Sequence, residues 1–469
     1  MRMKNILIIV VFFFGNSLYA QEQLPKVLTF EEYLAFVKQY HPVARQAGLK
    51  LNMTEAQLLR ARGGFDPKIE VDYDRKEFKN TEYYDILNST FKIPTWYGVE
   101  LKANFEQNQG VYLNPQNTVP QDGLFSAGVS VDVGQGMFIN ERMAALRTAR
   151  IYRDQAVADR DLMVNKVLYE ASLAYFDWLR AYNEMYIYEG FLTNALERFG
   201  GIEQNARLQE IPAIDTVEAR ISVQNRRLDL EQARVNLVKE RLDLSNFLWL
   251  DNNTPVELQP DIIPETGLLS KVDVVLDLQT LIEPGVIPDN HPQLRSLELG
   301  LRALEVNRRL MANRLLPEVN FEYNFLTQEP DELQNFNRGN YKAGIRFSMP
   351  LFLRKERGDL KLANFRIQDA ELDLELNERQ LENRLLAVFQ ELDSYSLQTQ
   401  MAEEMVENYN LMLAAEERRM SFGESSLFLI NTRENQLIEA RLKQNDILNK
   451  FLYAKARLFR NLGIVPQAD

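Results

Sequence analysis

Two histidines are the only imidazoles in this chain, and each stands directly before a proline: His41-Pro42 and His291-Pro292. Metal ligation needs several donors in a cluster, and neither histidine has a second ligand type at a suitable spacing. Placed before proline, an imidazole instead suits the entry of a helix. The chain has no cysteine, which removes thiolate nucleophiles, disulfides and cysteine metal sites. No Walker A loop, G-x-S-x-G elbow or H-E-x-x-H helix is present. Neither a catalytic residue nor a bound cofactor or metal is expected. The remaining chemistry is charge. Against 54 Lys+Arg stand 67 Asp+Glu, a net charge of −13, and nucleic acid, which calls for a basic face, is not a suitable partner. Acidic residues spread along helices are an ordinary solvated face. If some of them line a water-filled duct, they favour cations.

The elements that carry these charges are unusually long. Leu381, Leu385, Val388, Leu392, Tyr395, Thr399, Ala402, Val406, Tyr409 and Leu413 recur at alternating steps of four and three. That is a heptad seam, the mark of a helix lying along other helices. The surrounding segment, 354–420, contains no Pro and only Gly358, and as a helix it reaches roughly 100 Å. A second seam runs through Val164, Leu168, Ala171, Tyr175, Trp178, Tyr182 and Met185 to Leu192 and Leu196, broken at Glu189.

The chain is a tandem repeat. His41 to His291 and Pro67 to Pro317 are both separated by 250 residues. Each histidine opens a helix, and each of the two later prolines opens a strand that alternates apolar and polar residues. Ile69, Val71 and Tyr73 share one face in the first half; Val319, Phe321, Tyr323 and Phe325 share one in the second. Second strands follow at Val129–Val133 and Ile345–Met349, and each leads through a turn into a long helical hairpin. Segment 83–107 reads as an added hairpin of the first half, and 111–123 as a polar loop. The expected organisation is a signal peptide at 1–20 and a first repeat at 21–253, with strands at about 67–133 and a helical hairpin at 139–249. A proline-containing linker at 254–289, packed on the outside, joins it to a second repeat at 290–463. That repeat has strands at about 317–349 and a hairpin at 354–461, and a tail at 464–469 follows.

Arg2 and Lys4, the apolar run Ile6–Phe14 and the small residue Ala20 form a secretory signal, with cleavage after Ala20. No cysteine follows for a lipid anchor, and no later stretch is apolar enough for a spanning helix. A membrane crossing therefore falls to β-strands. Strands that alternate suit a barrel with lipid outside and water inside. A face of a soluble β-sandwich alternates in the same way, so the strand pattern leaves both open. Four to six strands enclose no useful lumen, so a barrel requires several copies. The competing reading is an exported coiled-coil fibre or adhesin, which needs no lipid-suited strand faces.

Taken together, certain residues resemble the TolC family of outer-membrane efflux proteins: Leu28-Thr29-Phe30-Glu31-Glu32, His41-Pro42, Phe65-Asp66-Pro67, Ile214-Asp215-Thr216-Val217-Glu218-Ala219-Arg220, Pro350-Leu351-Phe352 and Phe422-Gly423-Glu424-Ser425. With the repeat, the resemblance covers almost all of the mature chain. It implies a mixed α+β membrane protein, a homotrimer whose strands share a twelve-stranded outer-membrane β-barrel continued by a coiled-coil α-helical barrel across the periplasm. It implies a passive exit duct in the outer membrane of a Gram-negative bacterium. The partners it implies are a periplasmic adaptor (membrane fusion) protein, an inner-membrane pump of RND or ABC type, and outer-membrane lipid. The family's periplasmic gate positions fall on Asp215, Met420, Ser425, Leu429 and Thr432. Only Asp215 keeps an acidic residue there, since Leu429 and Thr432 stand where the family often has aspartates. The adaptor-docking tips fall on Gln209, Glu210, Pro212, Gly423 and Glu424, with Gln209 at a position where the family often has glycine. The added hairpin exceeds the family's strand count: either it projects from the base or end of the barrel or it joins the wall, and the sequence leaves both open.

Overall fold

A computed structural model describes residues 27–278, 284–329, 331 and 338–465. The expected signal peptide, 1–20, and the last residues of the expected tail, 466–469, lie outside the described residues. In chain order the elements are β1 (Val27–Leu28), α1 (Phe30–Tyr40), α2 (Pro42–Arg62), β2 (Lys68–Phe78), β3 (Thr81–Pro94), β4 (Val99–Gln109), β5 (Leu124–Gly134), α3 (Glu141–Arg207), α4 (Ala213–Ser245), β6 (Ile263–Pro264), α5 (Val272–Val275), α6 (Pro292–Asn313), β7 (Glu318–Thr327), β8 (Tyr341–Ser348), α7 (Arg354–Ser421) and α8 (Leu427–Leu462).

Local chemistry sets the helix starts. Thr29 and Glu32 form a reciprocal capping box at α1. His41 and His291 cap α2 and α6: each Nδ1 accepts from the backbone N–H two residues on, at 3.2 Å. Pro42 and Pro292 occupy the first helical position, where no N–H is needed. His291 is buried, and its Nε2 lies 3.1 Å from the Asn461 carbonyl, so the ring donates there and the cap is a neutral tautomer. Helix entry is thus what both histidines do.

At the end of the molecule nearer the sheet, helices lie side by side in the order α2, α3, α6, α7; at the other end the order is α4, α3, α8, α7. The seam of α7 is buried or half-buried at every position from Leu381 to Leu413. The α3 seam departs from its expected line. Beyond Met185 the packed face passes to Phe191, Ala195 and Ile202, and Leu196 is exposed. A straight 3.6-residue helix drifts against a seven-residue repeat over so long a span.

The main core lies at mid-length, where α1 lies on α3. The Phe30 ring sits 5.2 Å from those of Tyr175 and Phe176. The Tyr175 hydroxyl donates to the Leu28 carbonyl at 2.7 Å and accepts from the Glu265 N–H at 3.1 Å. Leu258, Ile262, Leu268, Val272 and Leu276 of the joining segment enter the same core. That segment is therefore part of the core rather than external packing. It also supplies β6, which pairs in parallel with β1. Lys455 of α8 makes a two-pronged ion pair with Asp273, at 2.6 and 2.7 Å.

The six longer strands form one antiparallel sheet in the order β2-β3-β4-β5-β7-β8. Of the two placements left open for the added hairpin, β3 and β4 take the one within the sheet, between β2 and β5. The hairpin's base is docked on the helix heads. Trp96 stacks on Phe65 with ring centres 5.3 Å apart, the Arg147 guanidinium lies 5.6 Å from the Trp96 ring, and Arg142 pairs with Glu100 at 2.9 Å. Gly98 has φ +70°, and a Cβ there would sit 2.7 Å from the Gly136 carbonyl oxygen, so only glycine fits.

Burial lowers the pKa of both histidines from 6.5. A cap held neutral contributes stability that is present above pH 6.5 and is lost as the pH falls through the lowered values. We therefore expect the double variant His41→Asn/His291→Asn, which caps without titrating, to flatten the acid side of the stability profile in thermal unfolding of detergent-extracted protein. Replacing either histidine with Ala should cost about 1 kcal/mol at neutral pH.

Candidate functional site

The two tips are built alike. At the end of α7, Gly423 takes φ +76°; its N–H donates to Met420 O at 3.0 Å and the Glu424 N–H to Arg419 O at 2.9 Å. This pair of bonds is a Schellman motif, which needs a left-handed residue after the helix. At the end of α3 the same bonds run from Gln209 to Ala206 O at 3.1 Å and from Glu210 to Asn205 O at 3.0 Å, with Gln209 at φ +59°. Gln209 thus holds a conformation that glycine adopts freely, at a cost of roughly 1–2 kcal/mol. Pro212 precedes the first residue of α4 and ends the turn.

Gln209, Glu210, Pro212, Gly423 and Glu424 are all exposed at these tips. The candidate gate residues are less uniform. Asp215 is half-buried in the first turn of α4, and its N–H donates to Pro212 O at 3.1 Å. The Ser425 hydroxyl donates to the buried Glu416 carboxylate, which also pairs with Arg419 at 3.7 Å. Arg419 in turn donates to the Glu424 carbonyl at 3.2 Å. Thr432 donates to its own helix, at Phe428 O, 2.8 Å. Leu429 is half-buried. Met420 packs into the cluster of Phe191, Leu413, Ile430, Leu437 and Ile438 between the helices. It therefore serves the packing of the hairpins.

Two polar groups tie the hairpins together near the tips. Glu434 is fully buried; Arg198 of α3 approaches it at 3.0 Å and Arg226 of α4 at 3.5 Å. One carboxylate of α8 thus joins both helices of the first hairpin. Closer to the tip, Asn431 donates to Glu218 at 3.2 Å. The signal for the first group is in the sequence. Glu434 occupies an apolar register between Ile430 and Leu437/Ile438, as Arg226 does between Val223 and Leu230, and charges on a seam require partners.

At the opposite end, the sheet has one polar and one apolar face. Neighbouring residues across the strands keep one character: Lys102, Gly128, Asn324 and Lys342 in one row, and Val129, Tyr323 and Ala343 with Leu101 in the next. The apolar face carries Ile69, Val71, Tyr73, Ile345 and Phe347, all exposed. Below it, where β5 and β8 turn into α3 and α7, Met137, Phe138, Leu351 and Phe352 are exposed as well, Leu351 at 93%. Such a face, with aromatic residues at its rim, is of the kind an outer-membrane barrel turns to lipid. Among the described residues no helix is long and apolar enough to cross a membrane, and no cluster of three possible metal ligands occurs.

The sequence pattern of the outer membrane efflux protein family matches residues 286–464. The fold of the whole is TolC-like. It is similar to the Campylobacter jejuni CmeC outer membrane channel (TM-score 0.61, 13% identity, 92% of this chain and 85% of that one). It is also similar to the outer membrane protein VceC of Vibrio cholerae (0.64, 13%, 92% and 96%). The open state of the Neisseria gonorrhoeae MtrE outer membrane channel is a third such structure (0.63, 14%, 92% and 88%). No curated protein matches the chain.

Removing the Glu434 carboxylate takes from the buried Arg226 its fully buried counter-charge and leaves it Asn435 and the more exposed Asp229, at 3.6 Å. Glu434→Ala should therefore cost about 3–5 kcal/mol, measured by denaturant unfolding. The exposed pair Arg207–Glu203, 3.1 Å apart, is the control, and its loss should cost under about 1 kcal/mol.

Proposed function

We propose that this protein is the exit duct of a tripartite efflux or secretion system in the outer membrane of a Gram-negative bacterium, working as a homotrimer that conducts solutes passively. The observation that carries this reading is the join of two surfaces in one chain. A sheet with a lipid-suited outer face runs directly, through β5 and β8, into helices of 67 and 68 residues. At about 1.5 Å per residue each helix reaches roughly 100 Å. A fibre or adhesin has no use for the apolar sheet face, and the enzyme reading has no site among the described residues.

The parts take these roles. Met137, Phe138, Leu351 and Phe352 sit at the inner headgroup level of the outer membrane. The exposed tips, Gln209–Pro212 and Gly423–Glu424, are the docking surface for a periplasmic adaptor, through which an RND- or ABC-type inner-membrane pump delivers cargo. Asp215, with Ser425, Leu429 and Thr432 on the facing hairpin, borders the periplasmic constriction. The Glu416–Ser425–Arg419 bonds keep the second tip in its turn. The two repeats, 21–253 and 290–463, supply equivalent walls, and 254–289 braces them at mid-length.

Asp215 supplies the acidic charge at the constriction. In planar bilayers, Asp215→Ala should raise the conductance of the closed protein and reduce its cation preference several-fold, while Asp215→Glu retains both. Unchanged conductance and selectivity in Asp215→Ala would remove that residue from the gate.

A further inference from the structure

The sheet leaves two edges without a partner, and both belong to strands exposed along their whole length, β2 and β8. In hydrocarbon, unpaired backbone N–H and C=O groups cost several kcal/mol each, so these edges require covering. Six alternating strands put β2 and β8 in opposite directions, so β2 of one copy meets β8 of the next as an antiparallel pair. The charges on the polar face also match. β2 carries Glu70, Asp72 and Asp74 in its middle, between Lys68 and Lys76, and β8 carries Lys342 and Arg346, in rows shared with the same face of their neighbours. The apolar faces, Ile69/Val71/Tyr73 and Ile345/Phe347, continue one into the other.

Resting on the channel reading above, we infer that three copies close head to tail into an eighteen-stranded barrel whose mouth is as wide as the helical tube beneath it, so that size selection falls at the periplasmic tips alone. The dimensions carry this. Per chain, four helices lie side by side, and at about 9–10 Å apart they occupy roughly 36–40 Å of arc. Six strands spaced about 4.8 Å apart and tilted about 40° occupy roughly 38 Å. Four strands occupy only about 25 Å, which narrows the tube where it enters the membrane. The β3–β4 hairpin is fitted to this junction, since Trp96, Glu100 and Gly98 rest on Phe65, Arg142 and Gly136. Eighteen strands are within the range that leaves an aqueous channel. Cargo as wide as the tube, including bulky solutes and extended polypeptide, then meets no second sieve at the cell surface.

The chain lacks cysteine, so introduced thiols report alone. Arg346→Cys combined in turn with Glu70→Cys, Asp72→Cys and Asp74→Cys should give, for at least one pair, covalent dimers and trimers when outer membranes are oxidised. Electron cryo-microscopy of the extracted wild-type assembly should count eighteen wall strands. A trimer with twelve wall strands, β3 and β4 lying outside, and no cross-link from any pair overturns the inference and leaves the channel reading intact. An assembly that is not trimeric or does not conduct overturns the channel reading itself.

Discussion

Backbone hydrogen bonding in lipid is the constraint on which the rest of the structure depends. A strand in hydrocarbon must pair on both sides, and this chain pairs only the inner edges of its six strands. Four helices per chain stand side by side below the sheet, and two of them, α3 and α7, run on for 67 and 68 residues. Because they carry apolar seams on their flanks rather than one apolar face, they form a wall instead of a globule.

The same constraint explains where polar groups are buried. A helical wall about one helix thick has little interior, so the largest core gathers at mid-length, where α1, β1, β6 and the joining segment thicken it around Phe30, Tyr175 and Trp178. Toward the tips the wall thins, and buried charge holds the hairpins together: Glu434 between Arg198 and Arg226, then Asn431 on Glu218. Such groups contribute little net stability compared with apolar packing, but breaking one is costly, which suits a place where two hairpins must keep one register.

Much of this was legible in the residues. The 250-residue offset, the histidine–proline helix entries and the heptad line from Leu381 to Leu413 each rest on short-range spacing, which local geometry sets. Strand pairing does not. The position of 81–109 in the wall depends on which strands sit beside it, and on Trp96 meeting Phe65 across the fold. The joining segment lacked periodicity because its apolar residues plug a core singly rather than line a face. Met420 is a gate candidate by its position in a family pattern alone, and no local spacing shows that it packs with Phe191 and Leu413, which lie on other turns and helices. Glu434 and Arg226 could have been found as charges on apolar registers.

On the proposed reading, one chain is a fraction of a membrane channel. The most direct test is the native mass of protein extracted from outer membranes in mild detergent. A protein mass of about 160 kDa, three chains of a closed cyclic assembly, is the predicted result. A soluble monomer, or a filament that needs no detergent, would contradict the account.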